Sequence, residues 1–120
     1  MDVDAYIARF DPEVQRRLEI VRSVGFEVFQ NASERIYFAV PTFTSNGRDI
    51  LNYAAHKKHI SLHIGYDLVF MLKDKYPNRS YTKSTIQLPH AEAFPEELVL
   101  EICVMLNYFY SNGMVTNEKS

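Results

Sequence analysis

An Asn-Gly pair at positions 46 and 47, set between two runs of extended character, constrains this chain more than any other feature. Both central residues of a tight hairpin turn need positive φ, which Asn and Gly accept at little cost, so the pair predicts a two-residue β-hairpin. Such a loop pairs Ser45 with Arg48, Thr44 with Asp49 and Phe43 with Ile50. Further on, Ile60, Leu62 and Ile64 alternate with His59, Ser61 and His63, the period of a strand with one apolar and one polar face. Residues 40–65 therefore predict an antiparallel sheet that buries one face and offers the other to solvent, a ligand or a partner.

The remaining elements fit around that sheet. Asp2 is a candidate N-cap for a short helix over residues 2–9, and Asp11-Pro12 opens a longer one. In the longer helix Val14, Leu18, Val21, Gly25 and Val28 recur at helical spacing, with Glu13, Arg16, Arg17 and Arg22 outside that stripe. Gly25 on the inner stripe predicts a close approach by another element. Ile36, Phe38 and Val40 alternate with Arg35, Tyr37 and Ala39, which reads as a strand. Pro41 cannot donate to a ladder, so it marks a strand end or a bulge. Hairpin strands near 42–45 and 48–55 follow, then a loop at His56-Lys57-Lys58 and a strand over 59–64 ended by Gly65. A helix over 66–75 turns Leu68, Val69 and Leu72 inward, and a short strand over 85–88 buries Ile86 and Leu88.

Pro95 opens the last helix, where Leu98, Ile102, Met105 and Phe109 form one stripe and Val99, Cys103, Leu106 and Tyr110 a second. A surface helix needs one such stripe, and Val104 and Tyr108 add further apolar surface. A homodimer through this C-terminal helix is therefore expected. Gly113 stops the helix, and residues 114–120 are expected to fray. The sum is one α+β domain over residues 1–113: an antiparallel sheet of about five strands packed against helices, in the order ααββββαβα.

Composition narrows the function classes. A chain of 120 residues can bury a core without disulfides, and its single cysteine, Cys103, allows no internal bridge and no cysteine-based metal site. Net charge of −2 lacks the electrostatic footprint of a nucleic-acid binder. No apolar run approaches the length of a membrane span. The opening MDVDAYIARF carries acids where a secretory leader carries bases, so a cytoplasmic location is expected.

Three groups of side chains could carry chemistry. His56, His59 and His63 would share a face on a helix, but on a strand His59 and His63 stand about 13 Å apart, too far to share a zinc ion. Asp2, Asp4, Asp11 and Glu13 could form an acidic ridge, opposed by the interspersed Arg9, Arg16 and Arg17; a solvated helix face is the simpler reading. The polar face of the sheet could carry Tyr37, Thr42, Thr44, Tyr53, His59, Ser61, His63, Thr85 and Gln87, with Lys57 and Lys83 near its rim. Rings, hydroxyls and cations on one surface suit a small anionic ligand or a protein partner, and a plain solvated face accounts for them equally well. The candidate ligand residues are Tyr53, Lys57, Lys58, His59, His63, Lys83 and Thr85. No phosphate loop, nucleophile elbow or HExxH stands in the sequence, and no local grouping forms a triad; a non-enzymatic protein is expected.

With those residues named, the chain resembles the YdhG-like family of small bacterial domains (domain of unknown function 1801). The likeness runs from about residue 3 to residue 107. It rests on DAYIARFDPEVQRRLEIVR near the start, VPTF at 40–43, KKHISLHIG at 57–65 and KSTIQLP at 83–89. The last two typically read KKHIGLYP and SKGTIRFP in that family. Lys58, His59, Ile60, Lys83, Thr85, Ile86 and Pro89 match, whereas Ser61 and Ser84 stand where glycine is usual. The resemblance implies an α+β sandwich with an antiparallel sheet. It also implies iron as a cargo handed to an accepting protein, because some members are described as frataxin-like iron chaperones; it supplies no ligand residues for iron. Two readings stay open: an iron chaperone-like binding protein, and a small-anion or protein-interaction module on the polar sheet face.

Overall fold

The structure, a computed structural model, describes residues 1–114. Its elements are α1 (Val3–Ala8), α2 (Pro12–Val28), β1 (Ala32–Tyr37), β2 (Val40–Ser45), β3 (Arg48–Ala55), β4 (His59–His63), α3 (Tyr66–Lys75), β5 (Ser80–Tyr81), β6 (Thr85–Pro89) and α4 (Glu96–Ser111). The six strands form one open antiparallel sheet in the order β1-β2-β3-β4-β6-β5. The α+β class stands as expected, with β5 as the strand the sequence did not announce: two residues are too few to show a period.

The helices begin where their caps dictate. Asp2 accepts the Ala5 N–H at 2.8 Å and Asp11 the Val14 N–H at 3.0 Å, each satisfying a first-turn donor that has no partner inside its helix. At the other end, Gly113 takes φ +63° and the Met114 N–H returns to the Phe109 carbonyl at 2.9 Å, which closes α4 with a left-handed cap. Met114 is thus hydrogen-bonded; the rest of the tail expected to fray lies outside the described residues.

One apolar cluster joins all four helices to one face of the sheet. Across the strands Tyr53 faces Leu62, Leu62 faces Ile86 and Ile86 faces Tyr81, with Ile60 and Leu88 paired in the neighbouring row. Both stripes of α4 are covered from within: Leu98, Ile102, Val99, Cys103 and Leu106 are buried, while Met105, Phe109 and Tyr110 pack against the cluster. Burial pushes the Cys103 thiol up to about 12, leaving it a packing residue rather than a nucleophile.

Four local expectations are corrected. The strand expected to run through Phe38 instead ends at Tyr37; Phe38 and Ala39, at φ +51° and +67°, form a second tight turn. Pro41 lies inside β2, paired with Ile36 of β1. The register also slips between Phe43 and Thr44, so Phe43 faces Leu51 rather than Ile50. One extra residue in β3 is thereby accommodated as a bulge. Arg17, expected on the solvated side of α2, is buried at 6 % exposure; its guanidinium is held by Glu13 and by the carbonyls of Pro89 and Glu92.

Candidate functional site

The face of the sheet away from the helices is polar. Its central rows run Asn52–His63–Thr85 and Ala54–Ser61–Gln87 across β3, β4 and β6. Strand register decides which expected ligand residues reach it. His59, His63 and Thr85 do. Tyr53 does not: it pairs with Leu62 on the core side and is 1 % exposed, so its placement on the polar face is corrected. The residues that do reach it divide between two ends. His59 faces Pro89 at one end, beside Lys57 and Lys58 in the β3–β4 turn, whereas His63 faces Thr85 at the other, beside Lys83. Four residue steps of strand, about 13 Å, separate the two ends.

The end at the β3–β4 turn is the more developed. The His56 and His59 rings lie 4.7 Å apart, and His56 Nε2 is 3.0 Å from Ser61 Oγ. His90, which sequence reasoning passed over, closes the group. Its N–H donates to the Lys58 carbonyl at 2.8 Å, and its Nε2 donates to the His56 carbonyl at 2.9 Å. A neutral ring with its proton on Nε2 leaves Nδ1 as a bare acceptor, and that atom is buried without a partner. The signal for His90 lay in the pairing itself. If β4 and β6 run antiparallel with Ile60 opposite Leu88, the residue after Pro89 falls beside Lys58.

Burial first, and then the neighbouring His56 and His90, holds the His59 pKa below its ordinary value. Lys57 and Lys58 are exposed and have no carboxylate partner among the described residues. Beside them a groove of about 480 Å³ runs toward the start of α2, lined by Phe10, Asp11, Glu13, Val14, Arg17, Ala55, His56, Lys57 and His90. Its carboxylates are engaged: Asp11 caps α2, and Glu13 is held near a pKa of about 2 by hydrogen bonds from Arg16 and then Arg17. The acidic ridge considered from sequence is consumed in the same way, with Asp2 capping α1 and Asp4 bound to Arg22 at 2.7 Å. Among the described residues no group of three or more His, Cys, Asp or Glu side chains is placed to hold a metal ion.

No family model and no curated protein matches the chain. Among solved structures it is similar to YdhG, a protein of the DUF1801 family from Bacillus subtilis, with a TM-score of 0.75 and 20% identity over 95% of this chain and 93% of that one. It is also similar to an uncharacterized conserved protein from Lactobacillus casei, with a TM-score of 0.58 and 16% identity over 100% and 99% of the two chains. The fold implied by the sequence resemblance is thus the fold found, over the whole domain.

Proposed function

We propose that this chain is a non-enzymatic binding protein that takes a small oxyanion-bearing ligand at the β3–β4 end of its sheet. The observation that carries the reading is the His56–His59 ring pair in the same turn as the exposed Lys57 and Lys58, neither of which is paired to a carboxylate among the described residues. Ammonium and imidazolium groups supply charge-assisted donors to a phosphate, sulfate or carboxylate, and a protonated histidine adds charge as pH falls. Lys57, Lys58 and His59 are kept from the set expected by sequence; His63, Lys83 and Thr85 belong to the opposite end. A cytoplasmic setting fits a protein whose one cysteine is buried and free, and among the described residues no helix is long and apolar enough to cross a membrane.

Sulfate is the cleanest probe, because its charge is constant from pH 5 to 8. Calorimetric titration should show saturable binding that tightens from pH 8 to pH 6 and weakens about tenfold or more in a Lys57→Ala/Lys58→Ala double variant. Binding that ignores both pH and the double substitution would remove the reading. Ferrous iron, the cargo implied by the family resemblance, is the competing ligand. Saturation by iron under anaerobic conditions, with none by sulfate, would transfer the proposal to iron handling.

A further inference from the structure

A second concavity lies at the opposite end of the sheet, independent of the site just proposed. It measures about 390 Å³ and is bounded by Tyr66, Val69, Phe70 and Lys73 of α3 and by Lys83 of the β5–β6 turn. The four α3 positions are spaced i, i+3, i+4 and i+7, so they form one continuous helix face. The helix already anchors itself through Leu68, Val69 and Leu72; Phe70, at 77 % exposure, is not needed for that packing. Val69 forms an apolar floor, and two aromatic side chains stand around it.

The charge of this cleft is one-sided. Lys75, elsewhere on α3, is neutralised by Glu101 at 2.5 Å. Lys73 instead lies 5.9 Å from the centre of the Tyr81 ring, and neither Lys73 nor Lys83 has a carboxylate partner among the described residues. Asp67 and Asp74 of the same helix do not line the cleft. Exposed rings beside two such ammonium groups match a ligand that is flat and apolar on its faces and anionic at one edge.

We infer that the cleft between α3 and the β5–β6 turn binds a planar aromatic anion, a ring bearing a phosphate or carboxylate. The ring covers Val69 and Phe70, and the anionic group sits between Lys73 and Lys83. The test uses 1-naphthyl phosphate, with 1-naphthol and inorganic phosphate as separate arms, followed by amide chemical shifts of the whole chain. Saturable binding is expected, with shifts concentrated at residues 66–73 and 83. It should weaken at least fivefold in Phe70→Ser and in Lys73→Ala/Lys83→Ala, both confined to exposed positions, and persist in Lys57→Ala/Lys58→Ala. The single-feature probes should each bind at least fivefold more weakly. Equal binding of 1-naphthol, shifts centred on residues 56–59, or indifference to the α3 and Lys83 substitutions would overturn the inference. Equal binding of 1-naphthol and indifference to the α3 and Lys83 substitutions leave sulfate binding at the other end untouched.

Discussion

Gly25 lies on the buried side of α2, with the ring of Phe43 laid directly against it; an added Cβ would overlap three atoms of that ring. Phe43 cannot retreat, because it is fully buried and also meets Phe26 and Phe29 edge-on at 5.1 and 5.5 Å. Alanine is the better helix former by roughly 1 kcal/mol, yet Gly25→Ala should destabilise the domain, by about 1–3 kcal/mol as overpacking does. Urea denaturation checks the sign: a rise in the midpoint would show that the ring moves aside freely. This close approach was legible in the sequence, since a glycine on an apolar stripe has few other uses. Arg17 was not read correctly, although positions 14, 17, 18 and 21 share one helical face. Its charge argued for solvent, while its actual partners, the Pro89 and Glu92 carbonyls, lie more than seventy residues away in sequence.

At the level of elements, the chain builds two tight hairpins with different chemistry. Asn46 and Gly47 adopt positive φ as their residue types favour; Phe38 and Ala39 adopt it against theirs, and Phe38 is 84 % exposed at the tip. Left-handed backbone costs an ordinary side chain roughly 1–2 kcal/mol. Replacing the second tip by the chemistry of the first, Phe38→Asn/Ala39→Gly, should therefore stabilise the fold by about 1–2 kcal/mol, net of the Tyr37–Phe38 ring contact at 4.4 Å. A lower thermal midpoint in the double variant would contradict this account of the turn. The same contrast explains why one hairpin could be read in advance and the other not: Phe-Ala carries no turn signal, and Ile36, Phe38 and Val40 mimic a continuing strand. In α4 the two apolar stripes were legible but their partner was not, because the core of the same chain covers both. Self-association through α4 now rests on Leu100, Val104 and Tyr108, an exposed row at i, i+4 and i+8. A dimer at tens of micromolar by sedimentation, dissociated by Tyr108→Glu, is the outcome expected of that row. A 14.0 kDa species in both proteins would exclude it.

Across the whole molecule, one inserted residue decides what the polar face contains. Without the bulge, Thr42 would face Leu51 and Tyr53 would fall on the polar side; with it, Thr42 faces Asn52 and Tyr53 turns into the core. A one-residue slip exchanges the faces of everything beyond it, and nothing local in the sequence marks this one. Parity within β4 and β6 had no such interruption, so His59, His63 and Thr85 were placed on the correct side. What parity could not show is distance along the strands, which separates Lys57, Lys58 and His59 from Lys83. The proposed function makes one claim at this scale: a small oxyanion such as sulfate seats at the β3–β4 end and not beside His63. It is tested most directly by following the histidine ring resonances through a pH titration, with sulfate and with chloride at matched ionic strength. An anion seated beside Lys57, Lys58 and His56 favours imidazolium, so sulfate should move the His59 midpoint to higher pH and leave that of His63 in place. Equal movement of both midpoints, or none at His59, would contradict the account.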